Sequence, residues 1–508
     1  MTRVPAVAFA AAVGIYTVVT AQVMTAPRIW DDAALADWAT PVAGLNVRPS
    51  HYSSAEYYAS PVDNLQTYPV YRPDREPPGY WESLQKMTPK PLVDAASIRT
   101  EKDWIAAGYQ AFREMDLAYI RSGDPAIIAE ARDLEKLKGF YTFDDGSIVT
   151  LRWVVTPDGV KLSTRACAAC HIDSGPDGRV VIGGPAGTPR PAGALPFAAP
   201  GPTMVGAAGT SYRLRQFYGV GPIPAKLWQE FSVPWAPDER VERFKTMTGA
   251  QLQEIGGLAT SFREGVFPRT NGSPYAVTKI LDLQNLKYSR YMDSTGTHRL
   301  RGPEDVARYA ALVSGADRMD YGPHRILTDE QRRMRFHYAD EVLYAIGVYL
   351  LSLEPPANPN PAPKEALVLG GQIFQREGCP ACHRPPSYTT GRLTPAVGFT
   401  PFAGHPNRPD ISSESVGTDA DTALKTRKGT GLYKIPSLRG VWYRPMLLHD
   451  GSLTSLEQMF DPGRLSPDYE PKGWSPPGVT KRAVPGHTFG LELTAKEKAA
   501  LLAFLRSL

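Results

Sequence analysis

The sequence predicts a mainly α-helical protein with two domains in tandem, long loops and a small β-hairpin before the first of two repeated motifs. Three observations in the 508 residues favour this fold class. Capped, apolar-periodic segments outnumber segments with strand alternation. A five-residue Cys-x-x-Cys-His motif occurs twice, far apart in the chain. Finally, 45 glycines and 48 prolines, with only 21% charged residues, indicate ordered domains joined by proline-stiffened loops rather than disorder.

The N-terminus has the composition of a targeting segment. Residues Val4 to Ala26 contain no charged side chain, and small residues near Ala21 suit a signal peptidase. We therefore expect an export signal over residues 1–26, with an uncleaved membrane anchor as the alternative. From Pro27 to Ile98 the chain is rich in Pro, Tyr and Asp, which predicts an extended segment wrapped over a folded body.

Helix and hairpin signals follow in order along the chain. The pattern predicts helices, each with a capping residue or an apolar stripe, over residues 100–122, 328–353, 364–377 and 494–508. Alternating residues over 148–155 and 160–163, joined by Pro-Asp-Gly, predict a β-hairpin. The run of prolines from Pro355 to Pro363 is the best domain boundary, because proline ends helices and stiffens linkers.

These signals divide the chain into five parts. The predicted parts are a signal or anchor over 1–26, an N-terminal extension with helices over 27–145, a domain with the first repeated motif over 146–353, a Pro-rich linker over 354–365, and a C-terminal domain with the second motif over 366–508.

The two motifs contain all four cysteines of the chain. They are Cys167, Cys170 and His171 in the first and Cys379, Cys382 and His383 in the second. Covalent haem c needs two thiols at this spacing for the vinyl groups and a histidine directly after them for the iron. We therefore predict two covalently bound haem c groups, with His171 and His383 as proximal ligands. Residues 146–353 are then an N-terminal haem c domain and residues 366–508 a C-terminal cytochrome c-type domain. One alternative is a disulfide or a redox dithiol in each motif, and the other is one zinc ion held by the four thiols.

The sixth iron ligand decides between electron transfer and chemistry. For the second haem, His487 lies on a Gly-His-Thr-Phe-Gly loop before the closing helix, where such a domain places a ligand. The competitors are Met446, Met459 and His449. For the first haem, the next histidine after His171 is His298, so a nearby distal histidine is absent from the sequence.

The chain also contains an internal similarity. Residues 279–285, followed by 291–293, resemble residues 434–440, followed by 449–451. Each copy lies downstream of a Cys-x-x-Cys-His motif. Two related haem domains explain the similarity, and chance is the alternative.

Several runs resemble the C-terminal half of bacterial di-haem cytochrome c peroxidases. They are Gly371–Phe374, Gly378–His383, Ile435–Arg439, His449–Ser452 and Leu456–Glu457. The inter-motif spacing, the hairpin and the loop of His487 are closer to the rubber oxygenase branch of that superfamily. The resemblance implies that the C-terminal haem relays electrons and that the N-terminal haem is the reactive site.

Two departures from the sequence pattern of these peroxidases argue against assigning their specific activity to this chain. Peroxidases of this family have a distal histidine soon after the first motif and a Trp-Asp-Gly between the haems, where this chain has Met292, Asp293 and Ser294. The asparagine that commonly binds an interdomain calcium falls at Lys279, so we predict no calcium.

Three functions therefore stay open at the level of sequence. The leading one is an exported di-haem oxidoreductase that handles peroxide or oxygen. The others are a non-enzymatic electron carrier and an oxygenase of the rubber oxygenase type. Export and haem attachment both place the chain in the periplasm, with a small cytochrome c or a cupredoxin as its partner. A net charge of +4 argues against nucleic acid as a partner.

Overall fold

The computed structural model describes residues 25–138, 140, 142–143, 145–174, 180–184, 228, 231–248, 251, 265–267 and 273–508. Helix and strand are mixed, at about 33% and 14%. The prediction of a mainly α fold is therefore correct only in part. Many short strand pairs were not recognised, because two-residue strands leave no periodic pattern in a sequence.

The described helices are mostly short, and five of them have nine residues or more. They are α1 Asp32–Ala36, α2 Ser54–Tyr58, α3 Tyr80–Lys86, α4 Glu101–Glu114, α5 Pro125–Glu130, α6 Cys167–Cys170, α7 Glu239–Glu242, α8 Pro303–Ala311, α9 Asp340–Ser352, α10 Lys364–Arg376, α11 Asp421–Leu424, α12 Leu456–Met459 and α13 Ala495–Arg506. The longer ones build the two main cores.

The described strands form small sheets. They are β1 Pro49–Ser50, β2 Val62–Asp63, β3 Thr67–Tyr71, β4 Ser147–Thr156, β5 Gly159–Thr164, β6 Ile172–Ser174, β7 Val180–Ile182, β8 Val266–Phe267, β9 Thr278–Lys279, β10 Tyr291–Met292, β11 His298–Arg299, β12 Asp320–Tyr321, β13 His324–Arg325, β14 His337–Tyr338, β15 Leu393–Pro395 and β16 Leu432–Lys434. The predicted hairpin is confirmed as β4 and β5, and β3 extends it to three antiparallel strands.

The first core joins distant parts of the chain. Helices α4, α8 and α9 pack together, and Trp30, Trp38 and Tyr57 are fully buried against them. The segment over residues 27–98, predicted to be extended and wrapped over a folded body, thus contributes core side chains at these positions. Its aromatic side chains are core residues whose irregular spacing hides their burial from a periodicity argument.

Helix α4 begins as predicted and ends earlier than predicted. Thr100 and Asp103 form a capping box. The predicted end was Ser122, but after Met115 the chain leaves the helix to pair with the hairpin, where the amide of Leu117 donates to the carbonyl of Thr164. Tertiary strand pairing overrides a weak helical tendency here.

The helix predicted from Thr328 begins only at Asp340 as α9. Before it, His337 and Tyr338 pair in parallel with Val62 and Asp63. A partner strand more than two hundred residues earlier satisfies these backbone groups, and nothing near residue 328 in the sequence indicates it.

The second core holds the second motif. Helix α10 packs on α13, and both were predicted; Thr494 and Glu497 form the predicted capping box. Their approach is close at Gly370, where a Cβ would lie 2.6 Å from the Cβ of Phe504 and would also meet the carbonyl of Ala500. The absence of a side chain at Gly370 therefore sets the distance between the two helices.

Gly370→Ala is expected to destabilise the protein, while Gly371→Ala is expected to be neutral or stabilising by up to about 1 kcal/mol. A Cβ at Gly371 would meet only the ring of Phe504 at 3.5 Å, an ordinary contact. Urea unfolding of the matched pair measures the difference. Equal unfolding midpoints would contradict the close packing of α10 on α13.

Some predictions are not tested by the fold. The signal or anchor lies almost wholly outside the described residues. Within the described part of the chain, no helix is both long enough and apolar enough to cross a bilayer. Residues 354–363 have no regular structure, and the five-part division of the chain stays a prediction.

Candidate functional site

A cavity of about 290 Å³ lies at the second motif. Cys379, Cys382, His383 and His487 all line it. Most of the remaining wall is apolar, and includes Phe374, Leu447, Leu456, Met459, Phe460, Leu501 and Leu505. The folded chain thus brings together every residue that the sequence assigned to the second haem.

Local structure explains how the motif presents its side chains. Helix α10 ends at Arg376, and Gly378 takes a left-handed φ of 75° that turns the chain sharply. A single 3₁₀ turn over Cys379–Ala381 follows, and the amide of His383 donates to the carbonyl of Cys379 at 2.8 Å. The turn directs both thiols and the imidazole to one cavity.

His383 has the tautomer that a metal ligand needs. Its Nδ1 lies 3.2 Å from the carbonyl oxygen of Tyr388, which only accepts hydrogen bonds, so Nδ1 bears the hydrogen. The lone pair then resides on Nε2. Burial lowers the pKa of His383 to about 4, so the ring is neutral at physiological pH, as iron ligation requires.

His487 faces His383 across the cavity. The two ring centres lie 6.4 Å apart. Two imidazole–metal bonds of about 2 Å each, plus the offset from each ring centre to its nitrogen, add up to roughly this distance. Burial lowers the pKa of His487 to about 4, and the proximity of His383 contributes in the same direction. The spacing therefore fits one metal ion between two neutral imidazoles.

A buried arginine holds the loop of His487. Arg464 is fully buried, and its guanidinium donates to the carbonyls of Val484, Gly486 and His487 at 2.6 to 2.8 Å. A further bond reaches the carbonyl of Met459 at 3.1 Å. His487 itself has a left-handed φ of 50°, which is unfavourable for a residue with a side chain. Nothing in the sequence around Arg464 indicates that it belongs to the site.

The competing ligands are placed differently. Met446 packs in another cluster with Val266 and Trp474. His449 lines the cavity, but its Nε2 lies 3.3 Å from a carboxylate oxygen of Asp419. Met459 lines the cavity and is the remaining competitor. His487 stays the predicted ligand, since its ring is the one that stands opposite His383.

Charged side chains line the cavity unevenly. Lys279, Lys434 and Arg444 are positive, and Asp282 is negative. An apolar wall with three basic side chains and one acidic side chain fits a flat apolar macrocycle with two carboxylates, which is the chemistry of haem. The thiols, the imidazoles and the charges thus all fit haem c.

The first motif lies against the first core. Helix α6, a single turn over Cys167–Cys170, follows β5 directly, and Ala168 and Ile172 are buried with the side chains of α4 and α9. Much of the chain that follows His171 lies outside the described residues. The assignments of Cys167, Cys170 and His171 therefore stay predictions.

The thiols argue against the two alternatives. None of the four is in a disulfide. Burial raises the pKa of Cys167 to about 12 and of Cys379 to about 11, whereas a redox dithiol needs a lowered thiol pKa. Cys167 and Cys379 pack against different cores, so one zinc ion cannot bind all four thiols. Among the described residues, potential metal-binding atoms cluster only at Asp419, His449 and Asp450.

A short hydrogen-bonded path leads from the first motif to the wall of the second cavity. The carbonyl of His171 accepts from the amide of Gly183 at 2.7 Å, and the carbonyl of Gly183 accepts from Leu283 at 2.8 Å. Asp282 and Asn285, beside Leu283, line the second cavity. One backbone segment thus joins the first motif to the wall of the second cavity.

His298 is the first histidine after His171 in the sequence. This residue is buried, and its ring packs on Trp38 at 4.1 Å and on His51 at 5.6 Å. Its Nδ1 lies 3.0 Å from the hydroxyl of Thr297. These contacts place the imidazole in an aromatic cluster of the first core.

Comparisons with known proteins add little. No family model and no curated protein matches the chain. Among solved structures, a hydrazine synthase of Kuenenia stuttgartiensis matches at 14% identity and a TM-score of 0.29, over 56% of this chain and 85% of that one. A MauG-like protein associated with microbial copper homeostasis matches at 20% identity and a TM-score of 0.21, over 33% of this chain and 56% of that one. Similarities this low carry no argument about fold or function.

Proposed function

We propose that the chain is an exported di-haem c-type oxidoreductase, related to bacterial di-haem cytochrome c peroxidases. The observation that supports it most is the cavity at the second motif. There, two thiols and two neutral imidazoles with ring centres 6.4 Å apart line one largely apolar space. A redox dithiol or a zinc site needs neither the second imidazole nor the apolar walls.

Each proposed cofactor site uses a few residues. Cys379 and Cys382 would form the thioethers of the second haem, with His383 and His487 as its axial ligands. The corresponding residues of the first are Cys167, Cys170 and His171. When bound, the haems would supply one-electron transfer at the second site and reaction with peroxide or oxygen at the first. The protein itself would hold the imidazoles in their neutral form, exclude water from the cavity, and connect the first motif to the wall of the second cavity through the backbone around Leu283.

The location and the partner are part of the proposal. Haem attachment to this motif follows export in bacteria, so the chain would work in the periplasm, with possible anchoring by its N-terminus. Its electron donor would be a small cytochrome c or a cupredoxin. Complexes of this kind use small interfaces, so we expect weak and transient association.

A non-enzymatic electron carrier is the second candidate. The pair His383 and His487 favours it for the second haem, because two strong ligands leave no open position on an iron. The state of the first haem separates the two functions. One high-spin and one low-spin ferric haem support the enzyme, whether peroxidase or oxygenase of the rubber oxygenase type, and two low-spin haems support the carrier.

The mature protein is expected to carry two covalent haems, which add about 1.2 kDa to the mass of the chain. Intact mass spectrometry after export in a host with haem attachment measures this. The double substitution Cys167→Ser and Cys170→Ser should remove one haem and abolish turnover while leaving the second haem's spectrum intact. Haem that is extractable by acidified organic solvent, or turnover in the double variant, would contradict the proposal.

A further inference from the structure

We propose that Lys279 and Lys434 bind the two carboxylates of the haem in the second cavity and raise its reduction potential. This inference rests on the proposed function and assigns the residues that recognise the polar edge of the cofactor. Both lysines line the cavity together with the thiols and the two facing histidines.

No described carboxylate lies within ion-pair distance of either lysine, and the acidic groups that act on them, Asp282 on both and Asp450 on Lys279, do so at longer range. Arg444 donates to a carboxylate oxygen of Asp282 at 3.0 Å, so the one acidic side chain of the wall is already paired. The Nζ of Lys279 donates to a neutral group, the carbonyl of Met446, at 2.9 Å. No described residue forms a hydrogen bond or ion pair with the Nζ of Lys434. Two lysines without an ion-pair partner match the two carboxylates of one haem.

Burial makes this arrangement unfavourable without an anion. It lowers the pKa of Lys279 to about 7 and that of Lys434 to about 8, because a charged ammonium loses its hydration inside the protein. A buried ammonium is stable when it is paired with an opposite charge. Two carboxylates in the cavity would supply that charge and keep both lysines protonated.

The backbone holds both lysines in place. The amide of Lys279 donates to the carbonyl of His449 at 2.9 Å, and the amide of Lys434 donates to the carbonyl of Ser294 at 2.8 Å. These two lysines begin the two internally similar segments, and each bonds to the turn that follows the other segment. The two similar segments are thus hydrogen-bonded across to each other's downstream turns, and both present a lysine to one cavity.

A positive charge beside the haem favours the reduced state, which carries one more electron. Lys279→Gln and Lys434→Gln should therefore each lower the midpoint potential of the second haem, and the double variant should lower it further. Lys434→Arg retains the charge and should stay near the wild-type potential. Lys425→Gln is the matched control, since Lys425 pairs with Asp421 and does not line the cavity.

Spectroelectrochemical titration of the low-spin haem, with intact mass for the haem count, tests the inference. Two attached haems and a lowered potential in both glutamine variants, with Lys434→Arg and Lys425→Gln unchanged, would support it. Two attached haems with an unchanged potential in both glutamine variants would overturn it. A potential that falls equally in Lys434→Arg would also overturn it, because packing and not charge would then be the cause. A wild-type protein without covalent haem would instead refute the proposed function.

Discussion

His487→Ala is expected to convert the second haem from low spin to high spin and to leave the spectrum of the first haem nearly unchanged. The reason is the geometry of the cavity, where the ring of His487 stands 6.4 Å from that of His383 and both imidazoles are neutral. Removing one of two strong axial ligands leaves an open position on the iron. Electron paramagnetic resonance and optical spectra of the ferric protein measure the change.

Two controls make this result specific. His405→Ala removes another buried histidine, whose pKa burial also lowers to about 4, but His405 lies outside the cavity. It should leave both haem spectra unchanged. Added imidazole should restore the low-spin signal of His487→Ala. If the low-spin signal survives in His487→Ala, the ligand is a different residue, and Met459 is the next to test because it also lines the cavity.

Arg464→Leu is expected to destabilise the protein by more than about 3 kcal/mol and to release His487 from the iron. The guanidinium satisfies four backbone carbonyls, and a buried carbonyl left without a donor costs about 1–3 kcal/mol. The loop would also lose the hydrogen bonds that hold His487 at its left-handed φ. Urea unfolding and the spin state of the second haem measure the two effects separately.

Two further variants test whether the hydrogen bonds of Arg464, and not the loss of a positive charge, cause these effects. Arg464→Lys can reach fewer of the carbonyls and should fall between the wild type and Arg464→Leu. Arg506→Leu removes an arginine of the same domain that pairs with Glu457 at the surface, and should cost about 0–1 kcal/mol. If the low-spin signal and the unfolding midpoint both stay unchanged in Arg464→Leu, Arg464 does not position His487.

The elements that the sequence determined depend on neighbours within a few residues. The two Cys-x-x-Cys-His motifs are contiguous, so their chemistry is visible without a fold. Helices α4, α10 and α13 were predicted because Thr100 and Thr494 cap two of them and Gly378 follows the third. The hairpin of β4 and β5 was predicted from its turn residues. Local hydrogen bonds and backbone preferences suffice for all of these.

The tertiary structure decided what depends on distant partners. Trp30 and Trp38 became core residues, and residues 337–338 became a strand beside residues 62–63, because backbone and apolar groups far apart in sequence satisfy one another. It also placed His487, rather than His449 or Met446, opposite His383.

Arg464, Lys279 and Lys434 were not recognised from the sequence as parts of the second site. Charged residues of this kind are usually exposed to solvent. Their role depends on burial and on the charges that surround them, and both quantities exist only once the chain has folded.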